Sequence, residues 1–520
     1  MTWTNDPSRN RAFHEGESAK IRFELVPYTR GVGLELGCGP WRAFPHFIGI
    51  DANRYESALG PSLVMDCQSL ACFSDEAFDF IYSSHLLEHL VDTTAVLREW
   101  WRVIEAGGHL VLYLPHKDLY PNIGEPGGNA DHKHDFLPED IVAVMRAVAP
   151  DWDLVANETR DQEDEYSFFQ VFRKLAPGSG QLESWKLPKP AKTAAVLRPG
   201  AYGDVLWTSS PIRHLKARGY HVTLYTEVRG EEVMRHNPDV DRFVVFGAQQ
   251  IPKGFSSEYF ASEAKKYDLA INLVESVERN ALAWPTDTRY FWPDRVRRKV
   301  FAGNYLELIH DLAGVPYEFH QRFHATPAEL EEARTWRRDN CGEERMVVIA
   351  PSGSTAPKFW PHVEAFAQLL AAEKVHAVVL GDLREMEIPA GPYVHPIGMA
   401  WPIRRAMSLA LVADAVVGEE TALLNAVAQE PLRKVVLLSH STPENLTKHW
   451  VNTVALSGAV SCYPCHRIHQ TFEHCRRDEA SGTAACQAAL SAFEVLRAMK
   501  QVGGFCVMKA SHLLADEVGT

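Results

Sequence analysis

Short apolar runs separated by longer amphipathic stretches organise the first third of the chain. GVGLELG (Gly31–Gly37), HFIGID (His46–Asp51), FDFIYSS (Phe78–Ser84) and HLVLYLP (His109–Pro115) read as strands. The pattern breaks at KLAPGSGQLESWKLPKPAK (Lys174–Lys192), rich in Gly, Pro, Ser and Lys and without apolar periodicity, which reads as a linker. It restarts with TAAVLRP (Thr193–Pro199) and HVTLYTE (His221–Glu227). A third block opens at MVVIAPSG (Met346–Gly353), after the charged helical stretch PAELEEARTWRRDNCGEE. Apolar strands alternating with amphipathic helices predict an α/β protein with parallel sheets covered on both faces. The expected organisation is a first α/β domain over residues 1–174, a linker over 175–193, two lobes over 194–340 and 341–502, and a tail over 503–520.

A length of 520 residues agrees with roughly three packed units. The content of 46% hydrophobic and 23% charged residues is that of an ordinary globular protein. A net charge of −14 speaks against a protein that works by neutralising nucleic-acid phosphates. A basic groove around Arg198, Arg213 and Lys216 would be needed to revive modification of nucleic-acid bases. No early apolar run and no stretch long enough to span a bilayer is present, so a cytoplasmic location is expected. Nine cysteines in that compartment are expected to stay reduced. Five are scattered, and Cys462, Cys465, Cys475 and Cys486 cluster.

In the first block, Gly37-Cys38-Gly39 forms a turn where a strand ends and a backbone can approach a ligand, with Glu35 just before it. Asp51 ends the second strand, where a carboxylate can take both hydroxyls of a ribose. Asp66 follows a third strand in MDCQSL, and FDFIYSSHLLEHLVD and LREWWRVIEAGGHLVLYLP come next. Across roughly Gly31 to Pro115 this series resembles class I S-adenosylmethionine methyltransferases. The resemblance implies a Rossmann-like sheet and S-adenosylmethionine as cofactor. Gly37 and Gly39, with Glu35 beside them, would hold its methionine end, Asp51 its ribose, and Asp66 would lie near adenine. The family's third glycine is absent, and the stretch to Asp51 is short enough to reduce the first helix to a turn. In DHKHDF, His132 and His134 match a segment that closes over the cofactor in related enzymes; loop histidines without a proton-transfer role are the alternative.

Beyond the linker, Gly200 and Gly203 flank a tight loop and Asp204 stands at the start of a helix. A carboxylate there is either an N-terminal cap or a reactive base. IAPSGSTAPKFWP ends a strand in Ser352, Ser354 and Thr355 and then supplies Lys358, a pattern suited to cradling phosphate. Glu420 and Thr421 precede a helix, where amides could hold a diphosphate and Glu420 could accept sugar hydroxyls. From roughly Ala194 to Val502 these motifs, with Asp382 in LGD, resemble heptosyltransferase-type glycosyltransferases of family nine. The resemblance implies the GT-B fold of two Rossmann-like lobes and a nucleotide-sugar donor. Asp204 would be the general base on the acceptor hydroxyl, and Lys358, Ser354 and Thr355 would neutralise the leaving diphosphate. A single displacement inverts the anomeric centre and needs no catalytic metal. The family's Asp-Thr-Gly and later His are here Glu420-Thr421-Ala422 and Asn425.

CYPCH (Cys462–His466) opens the string C-x2-C-x9-C-x10-C. Haem attachment, disulfides, unrelated buried cysteines and a four-thiolate structural metal site are the readings open to it. Haem requires an oxidising export route, and no export signal accompanies it. The placement is similar to the C-terminal four-cysteine iron finger of bacterial autotransporter heptosyltransferases. That likeness implies zinc or iron held by Cys462, Cys465, Cys475 and Cys486, with His466, His469 and His474 as spare ligands. The expected protein is an inverting glycosyltransferase fused to an S-adenosylmethionine-binding, methyltransferase-like domain. Its partners would be a nucleotide-sugar donor and a hydroxyl-bearing glycan, protein or small-molecule acceptor, with homo-oligomerisation left open. The alternative is a glycosyltransferase whose first domain is a non-catalytic module.

Overall fold

The computed structural model describes residues 17–501 apart from positions 58, 163, 248, 249, 252–255, 356 and 385. The expected tail over 503–520 and Cys506 lie outside the described residues. The chain divides into two compact units, Met1–Ala191 with Val244–Tyr267, and Lys192–Phe243 with Asp268–Thr520. The segment Val244–Tyr267, which interrupts the expected first lobe, therefore belongs to the first unit. Its Gln250 side chain donates to the carbonyls of Val26 and Thr29 at 3.1 and 3.3 Å, which ties it down within that unit.

The first unit is built on β1 (Gly33–Leu36), β2 (Ile48–Asp51), β3 (Leu63–Val64), β4 (Phe78–Ser84), β5 (Ile104–Pro115), β6 (Trp152–Arg160), β7 (Ser167–Lys174) and β8 (Gln181–Leu182). They form one sheet in the order β3-β2-β1-β4-β5-β7-β6-β8. β1 to β5 run parallel, and β7 is antiparallel to both β5 and β6. The stretch expected to be a linker supplies β8, which pairs with β6. No helix separates β1 from β2, in keeping with the short spacing between them. The helix Thr93–Val103 starts at Asp92, whose side chain accepts from the Ala95 amide. It buries Val96, Leu97, Trp100, Trp101 and Val103, an apolar stripe at helical spacing, against the sheet. Burying one such large side chain is worth roughly 2–3 kcal/mol, so the stripe alone holds the helix in place.

The second unit contains two sheets. β9 (Thr193–Leu197), β10 (His221–Thr226), β11 (Arg242–Val245) and β12 (Leu269–Asn272) are ordered β11-β10-β9-β12. β13 (Arg345–Ala350), β14 (Val375–Leu380), β15 (Val394–Gly398), β16 (Ala415–Glu419), β17 (Arg433–Leu438) and β18 (Thr453–Ser457) are ordered β15-β14-β13-β16-β17-β18. All pairings in the latter sheet are parallel. Every residue of β14, β16 and β17 is buried, as continuous apolar runs covered on both faces require. The charged helix Pro327–Cys341 between the sheets is closed at its start by a Thr326–Glu329 capping box.

One rule positions the chemistry in all three sheets. Each has its first strand in the middle, with the second and third strands on one side and the fourth on the other. The strand order reverses between the first and fourth strands, and ligands bind there, outside the carboxyl ends. The loops at these switch points are those after β1 and β4, after β9 and β12, and after β13 and β16.

Candidate functional sites

After β1 the chain turns through Gly37 and Gly39 at φ values of 70° and 55°, a left-handed conformation that favours glycine. A Cβ at Gly37 would strike the Leu86 side chain at 2.9 Å, whereas one at Gly39 would meet nothing within 4 Å. Gly39 therefore opens onto free space at the strand ends, which fits the close approach of a cofactor. Asp51 supports the turn: its carboxylate accepts the Gly39 amide at 3.0 Å and the Asn53 amide at 2.8 Å. Two backbone bonds leave further lone pairs for a ligand hydroxyl. Glu35 points elsewhere. It is 2% exposed, accepts the Ala43 amide at 2.8 Å, and burial pushes its carboxyl up to about 8. Its task here is to hold the loop after the turn. Asp66 is exposed beyond β3 and accepts the Gln68 amide at 2.9 Å.

The loop after β4 holds residues that the sequence did not single out. Glu88 is 1% exposed, and its carboxylate accepts no hydrogen bond from another residue. His85 Nδ1, His89 Nε2 and His132 Nε2 each stand 3.9 Å from its Oε1. The Glu88 carbonyl accepts the amides of Lys133 and His134, which docks the DHKHDF segment onto the turn. His134 itself faces the Val91 carbonyl at 3.2 Å, so the two histidines of that segment are not used alike. The clue in the sequence was the string HLLEHL, whose histidines and glutamate only the turn Leu87–His89 brings together.

In the second unit, Asp204 lies in the first turn of the short helix Tyr202–Leu206 after β9. Its Oδ2 accepts the Ala201 amide at 3.2 Å and stands 3.6 Å from Arg198 Nη2. The same guanidinium donates to both Glu278 oxygens at 3.1 Å. Glu278 follows β12, so this ion-paired acid, absent from the sequence reading, faces Asp204 across the switch point. Arg198 is 1% exposed, which removes it from any basic groove. Lys216 pairs with Asp241.

The loops after β13 and β16 converge on one ion pair. Lys358 Nζ lies 3.3 Å from Glu420 Oε2. Glu420 also accepts from the Ser439 amide at 3.2 Å and from the Ser441 hydroxyl, and His440 Nδ1 stands 3.1 Å away. Burial alone would raise this acid; the His440 ring, the Lys358 ammonium and the Ser441 and Ser439 donors overcome it and hold Glu420 down to about 2. Adjacent Glu419 has no such donors, and burial beside Glu420 raises it well above the carboxylate range. Ser352 bridges to Phe359, Ser354 is exposed, and the Thr355 carbonyl accepts the Lys358 amide at 3.0 Å. Thr421 starts the helix Ala422–Ala426. A Cβ at Gly203 would meet the Asn425 amide nitrogen at 3.0 Å and the Ala422 backbone at 3.8 Å, so the Asp204 turn abuts this helix. Asn425 accepts from Trp207 Nε1 at 2.7 Å and from Gln321 Nε2 at 3.0 Å. That makes it a latch between the two sheets of the unit.

Thr355, Lys358, Ser439 and His440 also line a cavity of about 90 Å³ with all four clustered cysteines. The four thiols are free of disulfides. Burial pushes Cys465 up to about 11 and Cys475 up to about 12, and raises Cys486 further. Cys465 Sγ lies 3.7 Å from His469 Nε2. Among the described residues, no three of these sulphurs stand mutually within 4.8 Å, so the quartet is wider than metal bonds would draw it. The loop is held by arginines of the helix Asp294–Val300: Arg297 donates to the Cys465 carbonyl at 2.9 Å and Arg298 to those of Ser461 and Tyr463 at 2.9 and 3.0 Å.

Residues 34–112 match the family model described as a methyltransferase domain. The matched residues lie within the first unit. No curated protein sequence matches the chain. Among solved structures, the chain is similar to the glycosyl transferase family 9 protein of Veillonella parvula, with 14% identity and a TM-score of 0.44 over 60% of this chain and 97% of that one. It is similar to the ADP-heptose LPS heptosyltransferase II of E. coli, with 15% identity and a TM-score of 0.42 over 59% and 96%. A SAM-dependent methyltransferase from Aquifex aeolicus aligns with 14% identity and a TM-score of 0.25 over 32% and 93%. No helix among the described residues is long and apolar enough to cross a membrane.

Proposed function

We propose that the second unit is an inverting glycosyltransferase using a nucleoside-diphosphate sugar, and that the fused methyltransferase domain uses S-adenosylmethionine. The observation that carries the first part is the Asp204 turn resting on the helix start behind Glu420 and Thr421, each at the switch point of its own sheet. Asp204 is the base that takes the acceptor proton as the hydroxyl attacks the anomeric carbon. Arg198, shared with Glu278, stands against the Asp204 carboxylate and holds it in place. Negative charge then develops on the departing diphosphate. Lys358 meets it, together with the amides after Thr421 and the hydroxyls of Ser354 and Thr355. Because Lys358 is paired with Glu420, the diphosphate shares the ammonium with that carboxylate, which sets its position before the donor arrives.

The four cysteines supply a soft donor set suited to zinc or iron, and such an ion would be structural. It would close the loop that Arg297 and Arg298 hold against the donor side of the cavity. In the first unit, the open space at Gly39 accommodates S-adenosylmethionine, and Asp51 is placed to accept its ribose hydroxyls. That cofactor supplies an electrophilic methyl group; the chain's own residues orient it and exclude water. The three domains remain the proposed functional units, with the stretch expected to be a linker and the segment Val244–Tyr267 both assigned to the first.

The decisive experiment is a thermal-shift and hydrolysis screen of the full chain against nucleoside-diphosphate sugars, ADP-heptose included. Stabilisation by one sugar nucleotide, lost in Lys358→Met, is expected. A chain that responds to none of them is not a glycosyltransferase. Calorimetric titration with S-adenosylmethionine tests the other unit independently, and absence of binding makes that domain a non-catalytic module.

A further inference from the structure

We propose that Glu88, His89 and His132 form a binding site for one divalent transition-metal ion in the first unit. Three groups among the described residues bring three potential ligand atoms within 4.8 Å of one another. Two of them are already satisfied by hydrogen bonds. In Cys341, His376 and His395 the two imidazoles bond each other at 2.9 Å, and His376 takes Glu344 at 3.1 Å. In His214, Glu318 and His320, the His214 ring faces the Glu318 carbonyl at 2.8 Å.

The Glu88 group differs. Its carboxylate is 1% exposed with both oxygens unpartnered, although buried polar atoms are almost always hydrogen-bonded. Leaving an ionised carboxylate in that state costs several kcal/mol unless a cation, a donor or a proton meets it. Each of the two ring nitrogens stands 3.9 Å from the same oxygen. Bonds of about 2.1 Å to a tetrahedral ion separate its ligands by roughly 3.4 Å, so each Glu88–histidine pair must close by about half an ångström, and the two imidazole nitrogens, which lie within 4.8 Å, by at most about 1.4 Å. The His89 and His132 rings are already set edge to face with centroids 4.8 Å apart. His85 Nδ1 is a spare ligand at 3.9 Å, its other nitrogen being engaged by Ser167 at 3.0 Å. Two imidazoles and one carboxylate select zinc, iron or manganese over magnesium or calcium.

The backbone holds the set together. His89 and Glu88 share one turn, and His132 reaches them because the amides of Lys133 and His134 bond the Glu88 carbonyl at 2.7 and 3.2 Å. The group follows β4, the strand beside β1 at the switch point, and Leu86 of the same loop packs under Gly37. The ion would therefore lie next to the proposed methyl-donor crevice, yet its binding does not depend on methyl transfer.

The test uses the full chain stripped with a chelator and titrated with Co2+, read by calorimetry and visible absorption. One equivalent with no sulphur-to-metal charge-transfer band is expected in the wild type. Glu88→Gln and His89→Ala should each lose it or weaken it at least tenfold, while Cys462→Ser/Cys465→Ser keeps it. Any thiolate-bound cobalt is recognised by its charge-transfer band and belongs to the cysteine cluster. Glu88→Gln preserves shape, and circular dichroism verifies its fold. The proposal is overturned if the wild type takes up no such equivalent, or if folded Glu88→Gln and His89→Ala both bind it with unchanged affinity.

Discussion

Glu88 and Glu420 occupy corresponding places in different sheets. Each lies in the loop after the fourth strand, beside the point where strand order reverses, and the side chain of each is buried. Glu420 is surrounded by Lys358, His440, Ser439 and Ser441 and is held down to about 2. Glu88 has only ring nitrogens at 3.9 Å, and burial pushes it up to about 8. A site that meets its carboxylate with a lysine and hydroxyls is complete without a metal and presents a fixed charge to an anion. A site that meets it with imidazoles is incomplete until a cation arrives. Burial makes either arrangement consequential, because low dielectric magnifies both the pairing and its absence.

The widest gap between the two crevices should appear in catalysis. Asp204→Asn is expected to lower sugar transfer by about 10²–10⁴-fold while the nucleotide dissociation constant stays unchanged. Steady-state rates and calorimetry on the same preparation read both, and full activity would remove Asp204 as base. Lys358→Met strips the cation from Glu420 and should cost about 10²–10³-fold in turnover, with weaker diphosphate binding. Retained binding and rate would mean that Lys358 serves only to neutralise Glu420. In the first unit, Gly39→Val places a branched side chain at φ 55° and into the open crevice. S-adenosylmethionine affinity should fall about tenfold or more by calorimetry, the strain alone costing roughly 1–2 kcal/mol.

The smallest effect concerns acid. Because the folded-state value of Glu420 is depressed from 4.5 to about 2, its stabilising contribution is present above pH 4.5 and is lost as pH falls toward 2. Urea unfolding of Glu420→Gln should therefore show a flatter loss of stability across that window than the wild type. An identical slope in both proteins would sever the link between the ion pair and stability.

The placement of the turns that carry the candidate residues was legible because it depends on local pattern. Strand ends in small residues, a Gly-Asp loop and the LGD and Lys-x-Trp-Pro strings mark turns at the carboxyl ends of apolar runs whatever the surrounding packing. What failed to read through were roles set by neighbours remote in sequence. Glu35 beside the glycine turn looked like a ligand residue, yet the fold turns it inward onto Ala43. Arg198 would have to belong to any basic groove, yet Glu278, 80 residues away, draws it inside. Asn425 stood where the expected resemblance implied a histidine, and the structure makes it a latch on Trp207, 218 residues earlier.

The sequence by itself determined the alternation of strands and helices, the three sheet-forming blocks and the turns that carry the candidate ligands. These follow from periodicity and from the backbone freedom of glycine, both local properties. Only the tertiary structure decided which carboxylates are buried with donors and which without, that HLLEHL and DHKHDF converge on Glu88, and that Val244–Tyr267 belongs to the first unit. Solvation and charge pairing arise between segments brought together by folding, and no single stretch of chain encodes them alone.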